Sequence, residues 1–157
     1  MIKIAICDDE SRMIEKLKNY INSCMDESGI QYEISAFDKS RAFWYEVEDG
    51  VHFDIIFLDI EMPGIDGMKL AEMFQEFLPD VILIFVSSHK KYVFDSFRLD
   101  AFRFIPKDQL DDRMRDEIKF RELFWLENLK KFPKSDWTIK RQKSSFREYC
   151  DLGNFFI

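Results

Sequence analysis

The sequence predicts an α/β protein in which five parallel strands alternate with helices. Two wholly apolar runs, residues 55–58 and 81–86, are typical of strands that are buried on both faces of a parallel sheet. Between these runs and three further candidate strands lie segments whose apolar residues recur at helical spacing. Parallel neighbours need crossover connections, so the repeated strand–helix order predicts one doubly wound sheet. At 157 residues, the chain has the size of one ordinary domain with an appendage.

The candidate elements follow one another with short connections. The strands are expected at residues 3–7, 31–37, 54–58, 81–86 and 101–105. The helical patterns occupy residues 11–28, 39–48, 67–78, 90–98 and 109–131. Asp38 and Asp66 are the predicted N-caps of the second and third helices, because their short side chains can accept hydrogen bonds from first-turn amides. Ser28-Gly29 and Pro79 are expected to end the first and third helices.

Apolar residues at helical spacing give each helix one apolar side. For the first helix they are Ile14, Leu17, Ile21 and Cys24; for the third, Met68, Leu70 or Ala71, and Phe74; for the fourth, Val93, Phe94 and Phe97. In the last pattern, residues 120–129 are apolar on more than one side, so a single packed face cannot cover them.

Charge and cysteine content limit the classes of partner. Residues 1–129 carry 16 basic and 27 acidic side chains, whereas residues 130–157 carry 7 and 3. The acidic body disfavours nucleic acid as its direct partner. No 18-residue apolar span and no secretory signal pattern occur, so no membrane partner is expected. Cys7, Cys24 and Cys150 lack disulfide or metal spacing, which favours free thiols and a cytoplasmic location.

Polar side chains end four of the predicted strands. Asp8 and Asp9 follow the first strand, Asp59 the third, Ser87 the fourth and Lys107 the fifth. In a sheet of order 2-1-3-4-5, the first, third and fourth strands are neighbours, so these groups converge at the carboxyl edge, where ligands bind in open α/β sheets. Each residue alone fits a turn, a cap or a solvated charge, and only their joint placement favours a site.

The clustered carboxylates favour a hard cation, because their repulsion raises at least one pKa unless a cation intervenes. Mg²⁺ prefers carboxylate and carbonyl oxygens. We expect Asp9 and Asp59 as direct ligands, Asp8 as a ligand through water, and the backbone carbonyl of Glu61 as a further oxygen. Asp carboxylates form acyl phosphates, so Asp59 is the predicted phosphoryl acceptor. Lys107 would offset the phosphoryl charge, and the Ser87 hydroxyl would hydrogen-bond a phosphoryl oxygen.

These segments resemble the receiver domain of bacterial two-component response regulators over about residues 1–125. The matching segments are Cys7-Asp8-Asp9-Glu10, Phe57-Leu58-Asp59-Ile60-Glu61-Met62-Pro63-Gly64-Ile65-Asp66-Gly67, Phe85-Val86-Ser87-Ser88 and Phe102-Arg103-Phe104-Ile105-Pro106-Lys107. The resemblance implies a flavodoxin-like (CheY-like) fold and a phosphoacceptor switch rather than an enzyme. It implies Mg²⁺ at Asp8 and Asp9, phosphorylation of Asp59 by a sensor histidine kinase, and switch residues Ser87 and Phe104.

Two features near the predicted site need a structural answer. The family follows its lysine with proline, whereas here Pro106 precedes Lys107 and Asp108 follows it, which puts the aim of the lysine in question. Glu61 and His89 each stand two residues past a key position. They either bias the rate at which water removes the phosphoryl group or are two exposed polar side chains.

Residues 88–107 look most like receivers attached to LytTR-type DNA-binding domains (LytR/AlgR/AgrA-like). Such a domain would begin beyond Pro133, where about 20 residues remain, too few for a domain. We therefore expect a receiver at residues 1–125, and at 126–157 the end of a linker helix with the start of an incomplete output domain. Contact with DNA is expected only through a complete output domain. The apolar residues 120–129 favour either a homodimer through the fourth and fifth helices or a tail that folds back.

Other functions fit this architecture less well. A haloacid-dehalogenase-type phosphohydrolase needs a second Asp two residues after its nucleophile, where Glu61 stands. A flavin module needs a Ser/Thr/Gly-rich phosphate loop after the first strand, and Asp8-Asp9-Glu10 would repel a phosphate there. A stand-alone phosphorelay receiver and an interaction domain with a vestigial site complete the alternatives.

Overall fold

The protein is described by a computed structural model over residues 1–29, 31–101 and 103–110, all within one compact unit, Met1–Lys119. These residues form one five-stranded parallel sheet of order β2-β1-β3-β4-β5, which confirms the predicted fold and strand order. The strands are β1 (Ile2–Cys7), β2 (Tyr32–Phe37), β3 (Ile55–Leu58), β4 (Ile82–Ser87) and β5 (Arg103–Pro106). The predictions for the last helix, the basic tail and Cys150 lie outside the described residues, as does the fifth-helix part of the predicted dimer surface.

Helices connect consecutive strands of the sheet. They are α1 (Ser11–Ser28), α2 (Ser40–Glu48), α3 (Gly67–Gln75) and α4 (Val93–Arg98), with short 3-10 turns at Lys90–Tyr92 and Lys107–Gln109. Gly29 ends α1 at φ 68°, a left-handed conformation that glycine adopts at little cost. Asp66 caps α3 as predicted, because its Oδ1 accepts a hydrogen bond from the Lys69 amide at 2.9 Å.

The predicted cap of α2 is wrong. The helix begins one residue later than expected, so Lys39 rather than Asp38 occupies the N-cap position, and its side chain makes no capping bond. The buried Ser40 at the start of α2 bonds outward instead: its Oγ donates to the Pro63 carbonyl and accepts from the Ile65 amide. The start of α2 therefore holds the loop between β3 and α3.

The core lies on both faces of the central strands. Every residue of β3 and β4 is buried, as expected for strands covered by helices on both sides. On one face, the rings of Phe37, Phe43, Phe53 and Phe74 contact one another with centroids 5.4–6.1 Å apart, mostly edge to face. This packing fixes the sheet and so the positions of the strand ends.

Two helices present different faces to the sheet. In α1, Ile14, Leu17, Ile21 and Met25 are buried, while the side chain of Cys24 lies outside the described set. In α4 the predicted apolar side is divided: Val93 is half-buried against the core, whereas Phe94 and Phe97 are exposed. The buried residue of this helix is Ser96, whose Oγ donates to the Val93 carbonyl at 2.6 Å. Phe94 is 82% exposed and Phe97 46% exposed. Within the described ranges, no helix has the length and apolarity that crossing a bilayer requires.

Candidate functional site

Strand register brings the predicted site residues to one edge of the sheet. Cys7 of β1 pairs with Leu58 of β3, so the next residues along the two strands, Asp8 and Asp59, become neighbours. Both carboxylates are buried. On the other side of β3, Ser87 ends β4, and Lys107 follows the end of β5. The geometry therefore joins residues that lie far apart in sequence, at the edge where the sequence analysis expected them.

The side chain of Lys107 occupies the centre of this edge. Its Nζ lies 2.9 Å from Asp59 Oδ2, 2.9 Å from Asp8 Oδ2 and 2.7 Å from Glu10 Oε1. The contacts with Asp59 and Glu10 are hydrogen bonds. Pro106, at φ −64°, leads the chain into the 3-10 turn that begins at Lys107. The unusual order of proline and lysine therefore leaves the ammonium aimed at the carboxylates.

Burial and mutual charge shift the pKa values of this cluster. Burial raises the pKa of Asp8 to about 6, and the contact with Lys107 offsets part of that effect. Burial likewise raises the pKa of Asp59 above its ordinary value, again against the hydrogen bond from Lys107. For Lys107 burial opposes the charge, yet the bonds to Glu10, Asp59 and Asp8 prevail and raise its pKa. The ammonium thus stays charged and reduces the repulsion between the buried carboxylates.

The backbone around Asp59 is held tightly. The Asp59 amide donates to the Cys7 carbonyl, and Asp59 Oδ1 accepts from the Ile60 amide at 2.7 Å. The Gly67 amide donates to the Ile60 carbonyl, and a Cβ on Gly67 would lie 1.9 Å from the Asp59 carbonyl oxygen. Because no side chain fits there, glycine at position 67 allows the start of α3 to pack directly against the strand end at Asp59.

The donor set at this edge fits a divalent metal ion. Carboxylate oxygens of Asp8, Glu10 and Asp59 all lie within 4.8 Å of one another. Asp8 Oδ1 accepts from the Glu10 amide. Asp8 Oδ2 is buried, and its close polar contact is the ion pair with the Lys107 ammonium at 2.9 Å. A buried acceptor that faces further carboxylate oxygens suits a hard cation. Asp9, the expected direct ligand, is exposed and outside this group, so its role stays a prediction, while Glu10 was not expected.

The side chains of Glu61 and His89 contact each other. His89 Nε2 lies 2.7 Å from Glu61 Oε2, and the Tyr92 hydroxyl donates to Glu61 Oε1 at 3.3 Å. Lys91 Nζ is 3.6 Å from the same oxygen. These side chains therefore link the loop after β3 to the loop after β4. The sequence positions of Glu61 and His89 did not predict this contact.

The predicted switch residues are both buried. Ser87 is fully buried, and its Oγ accepts from the His89 amide at 3.2 Å. Phe104 is in register with Phe85 on the neighbouring strand and belongs to the core. The structure brings Ser87 to the same sheet edge as Asp59, whereas Phe104 lies inside β5, three residues before the lysine. Their switch roles stay predictions.

A parallel sheet of this order, with buried carboxylates and a lysine at its carboxyl edge, has the architecture of a CheY-like domain with an acidic pocket. The family described as the response regulator receiver domain matches residues 4–119, so the chain belongs to that family. It is accordingly a receiver domain of two-component systems.

Individual relatives agree with this assignment. The transcriptional regulatory protein NatR of Bacillus subtilis is 30% identical over 114 residues, which are 73% of this chain and 47% of NatR. The solved response regulatory domain of MrkE from Klebsiella pneumoniae matches with TM-score 0.63 and 28% identity, over 73% of this chain and 90% of that one. The regulator TrrA from Thermotoga maritima, solved in complex with Mg²⁺–BeF, matches with TM-score 0.56 and 24% identity, over 75% of this chain and 96% of that one. The chain thus spans about half the length of NatR.

Proposed function

We propose that the chain accepts a phosphoryl group on Asp59 from a sensor histidine kinase, in a Mg²⁺-dependent reaction in the cytoplasm. The observation that carries the proposal is the 2.9 Å hydrogen bond from the Lys107 ammonium to the buried Asp59 Oδ2. A carboxylate at a rigid strand end, beside a fixed cation, is poised to form an acyl phosphate.

In the proposed reaction, a carboxylate oxygen of Asp59 forms a bond to phosphorus while the bond from phosphorus to the kinase histidine breaks. Lys107 offsets the charge of the phosphoryl oxygens, and the Ser87 hydroxyl hydrogen-bonds one of them. Asp8, Asp9 and Asp59 would hold the cation, with the Glu61 carbonyl as a further oxygen. When bound, Mg²⁺ supplies positive charge that a phosphoryl group needs next to several carboxylates. The Mg²⁺–BeF complex of TrrA supports this choice of metal.

The proposed output is a change in conformation and association. Phosphorylation stabilises one arrangement of Ser87 and Phe104 over another, and it shifts the population only by the difference in free energy that it supplies. Because NatR is named a transcriptional regulatory protein, we extend the proposal to transcription, through a LytTR-type DNA-binding domain outside this chain. A homodimer through the fourth and fifth helices is the proposed associated state.

The test is the intact mass of the protein after incubation with Mg²⁺ and a small phosphodonor such as acetyl phosphate. We expect one added phosphoryl group, which Asp59→Asn prevents. Asp80→Asn is the matched control, because Asp80 is exposed and precedes β4, at the opposite edge of the sheet. Labelling that survives Asp59→Asn, or that needs no divalent cation, contradicts the proposal.

A further inference from the structure

Glu10 has an unusual place for a helix-capping residue. It is the N-cap of α1, yet its side chain makes no capping hydrogen bond. Its carboxylate instead accepts a 2.7 Å hydrogen bond from Lys107, 97 residues further along the chain. The Glu10 backbone is fixed on both sides, because its amide donates to Asp8 Oδ1 and its carbonyl accepts from Met13 and Ile14. The side chain therefore reaches the lysine from a rigid base.

Solvent exposure separates Glu10 from the other members of the cluster. The side chains of Lys107, Asp8 and Asp59 are at most 6% exposed, whereas that of Glu10 is 60% exposed. Glu10 is thus the carboxylate at the mouth of the pocket, and the other two lie at its base. The pair joins a buried ammonium to an exposed carboxylate, and solvent around Glu10 limits what the contact contributes to stability.

The ammonium of Lys107 has three N–H donors, and three carboxylates surround it. Phosphorylation at Asp59 replaces that carboxylate by an acyl phosphate, and a cation held by Asp8 engages the second carboxylate. Glu10 is then the partner of Lys107 that neither event removes. A lysine without it would be free to rotate into solvent, since its alkyl chain has four rotatable bonds.

We propose that Glu10 is a positioning residue that holds the Lys107 ammonium at the mouth of the pocket, where it meets the incoming phosphoryl group. The inference deepens the proposed function and rests on it for the phosphoryl step. The contact between Glu10 and Lys107 belongs to the unphosphorylated protein and can be tested without any phosphoryl transfer. Glu10 acts through Lys107 and needs no contact with the reacting atoms.

Three variants separate position from charge. Glu10→Gln removes the charge and keeps the shape. Glu10→Asp keeps the charge but is one methylene too short for the observed 2.7 Å contact. Glu15→Gln is the matched control, because Glu15 is exposed on α1 and forms an ordinary surface ion pair with Lys18. The proposed contact needs both the charge and the reach of Glu10, so it predicts that Glu10→Asp and Glu10→Gln are both impaired. An effect of charge alone predicts that Glu10→Asp behaves like the unaltered protein.

The first measurement is the amine-selective ¹H–¹⁵N NMR signal of Lys107 in the unphosphorylated protein without added cation. We expect this signal to move or broaden in Glu10→Gln and Glu10→Asp and to stay unchanged in Glu15→Gln. The assignment is made with Lys107→Arg, which removes the signal. An unchanged signal in both Glu10 variants overturns the proposal, whatever happens in the phosphorylation assay.

The second measurement is the phosphorylation rate as a function of phosphodonor concentration, with Mg²⁺ affinity measured separately by calorimetry. We expect both Glu10 variants to lower the maximum rate about tenfold, a change typical of one charge-assisted hydrogen bond. The Mg²⁺ affinity of Glu10→Asp should stay within about threefold of that of the unaltered protein, because its charge is kept. A much weaker Mg²⁺ affinity in Glu10→Asp would make Glu10 a metal ligand and overturn the positioning role. If the unaltered protein accepts no phosphoryl group, the proposed function fails, while the NMR result still decides the contact.

Discussion

Replacing Gly67 by alanine should distort the end of β3 at Asp59. The new Cβ would lie 1.9 Å from the Asp59 carbonyl oxygen and 2.8 Å from the Ile60 Cα. These are backbone atoms, so no side-chain rotation can relieve the overlap, and the chain must move by about 1.5 Å to restore van der Waals contact. Overpacking of this kind costs about 1–3 kcal/mol and sometimes more. We expect a net loss of about 2 kcal/mol or more in the free energy of unfolding, because the gain of about 1 kcal/mol in helix propensity offsets only part of a cost at the upper end of that range.

Urea unfolding followed by circular dichroism measures this loss, with Gly29→Ala as the control. Gly29 has φ 68° and open space around its Cβ position, so alanine there costs only backbone strain, roughly 1–2 kcal/mol. The intact-mass assay, under conditions where both variants are folded, measures phosphorylation. We expect Gly67→Ala to slow it at least tenfold, since a shift of about 1 Å near a reacting group can cost 100-fold. If Gly67→Ala is no less stable than Gly29→Ala and is phosphorylated normally, the close approach at Asp59 is refuted.

Two further predictions concern the charges of the pocket. Lys107→Met should lower the free energy of unfolding by about 3–5 kcal/mol, because it leaves buried carboxylates without a cation, and added Mg²⁺ should restore part of the loss in urea unfolding. Burial raises the pKa of Asp8 from 3.8 to about 6. Between these pH values the folded protein holds a proton that the unfolded chain has released, so the stability contributed by Asp8 falls as pH rises. Mg²⁺ affinity should rise over the same window, and calorimetry that shows equal affinity at pH 5 and pH 7.5 would contradict the raised pKa.

The fold was predictable because its sequence signals are strong and local. The apolar runs of β3 and β4 and the residues that interrupt them predict buried strands and crossovers. The observed ends of these two strands lie within one residue of the prediction, whereas α3 ends three residues before its predicted end. The capping of α3 by Asp66 follows from a short acidic side chain next to a glycine. The cap of α2 failed because Ser40 bonds to a distant loop, and a tertiary contact of that kind leaves no trace in local sequence.

The site residues that directly follow strands could be predicted from the sequence. The side-chain contacts between different elements could not. Asp8, Asp59 and Lys107 could be placed because parallel strands end at one edge. The contact of Glu10 with Lys107 was missed, although Glu10 continues the acidic run after β1. Nothing in that run tells which of its carboxylates turns toward β5. The outward direction of Phe94 was hidden as well, because six residues of α4 make too short a helix for spacing alone to fix its buried side.

The two buried carboxylates of the acidic pocket follow different strands, so a ligand that binds both of them stabilises the folded state. Asp8 and Asp59 are 51 residues apart in the chain and become neighbours only through the pairing of β1 with β3. Whatever binds both carboxylates therefore binds the folded state and has no comparable site on the unfolded chain. At 100 times its dissociation constant, such a ligand adds about 2.7 kcal/mol to folding. If Mg²⁺ binds as proposed, the stability of the folded protein against unfolding and proteolysis should therefore increase with Mg²⁺ concentration.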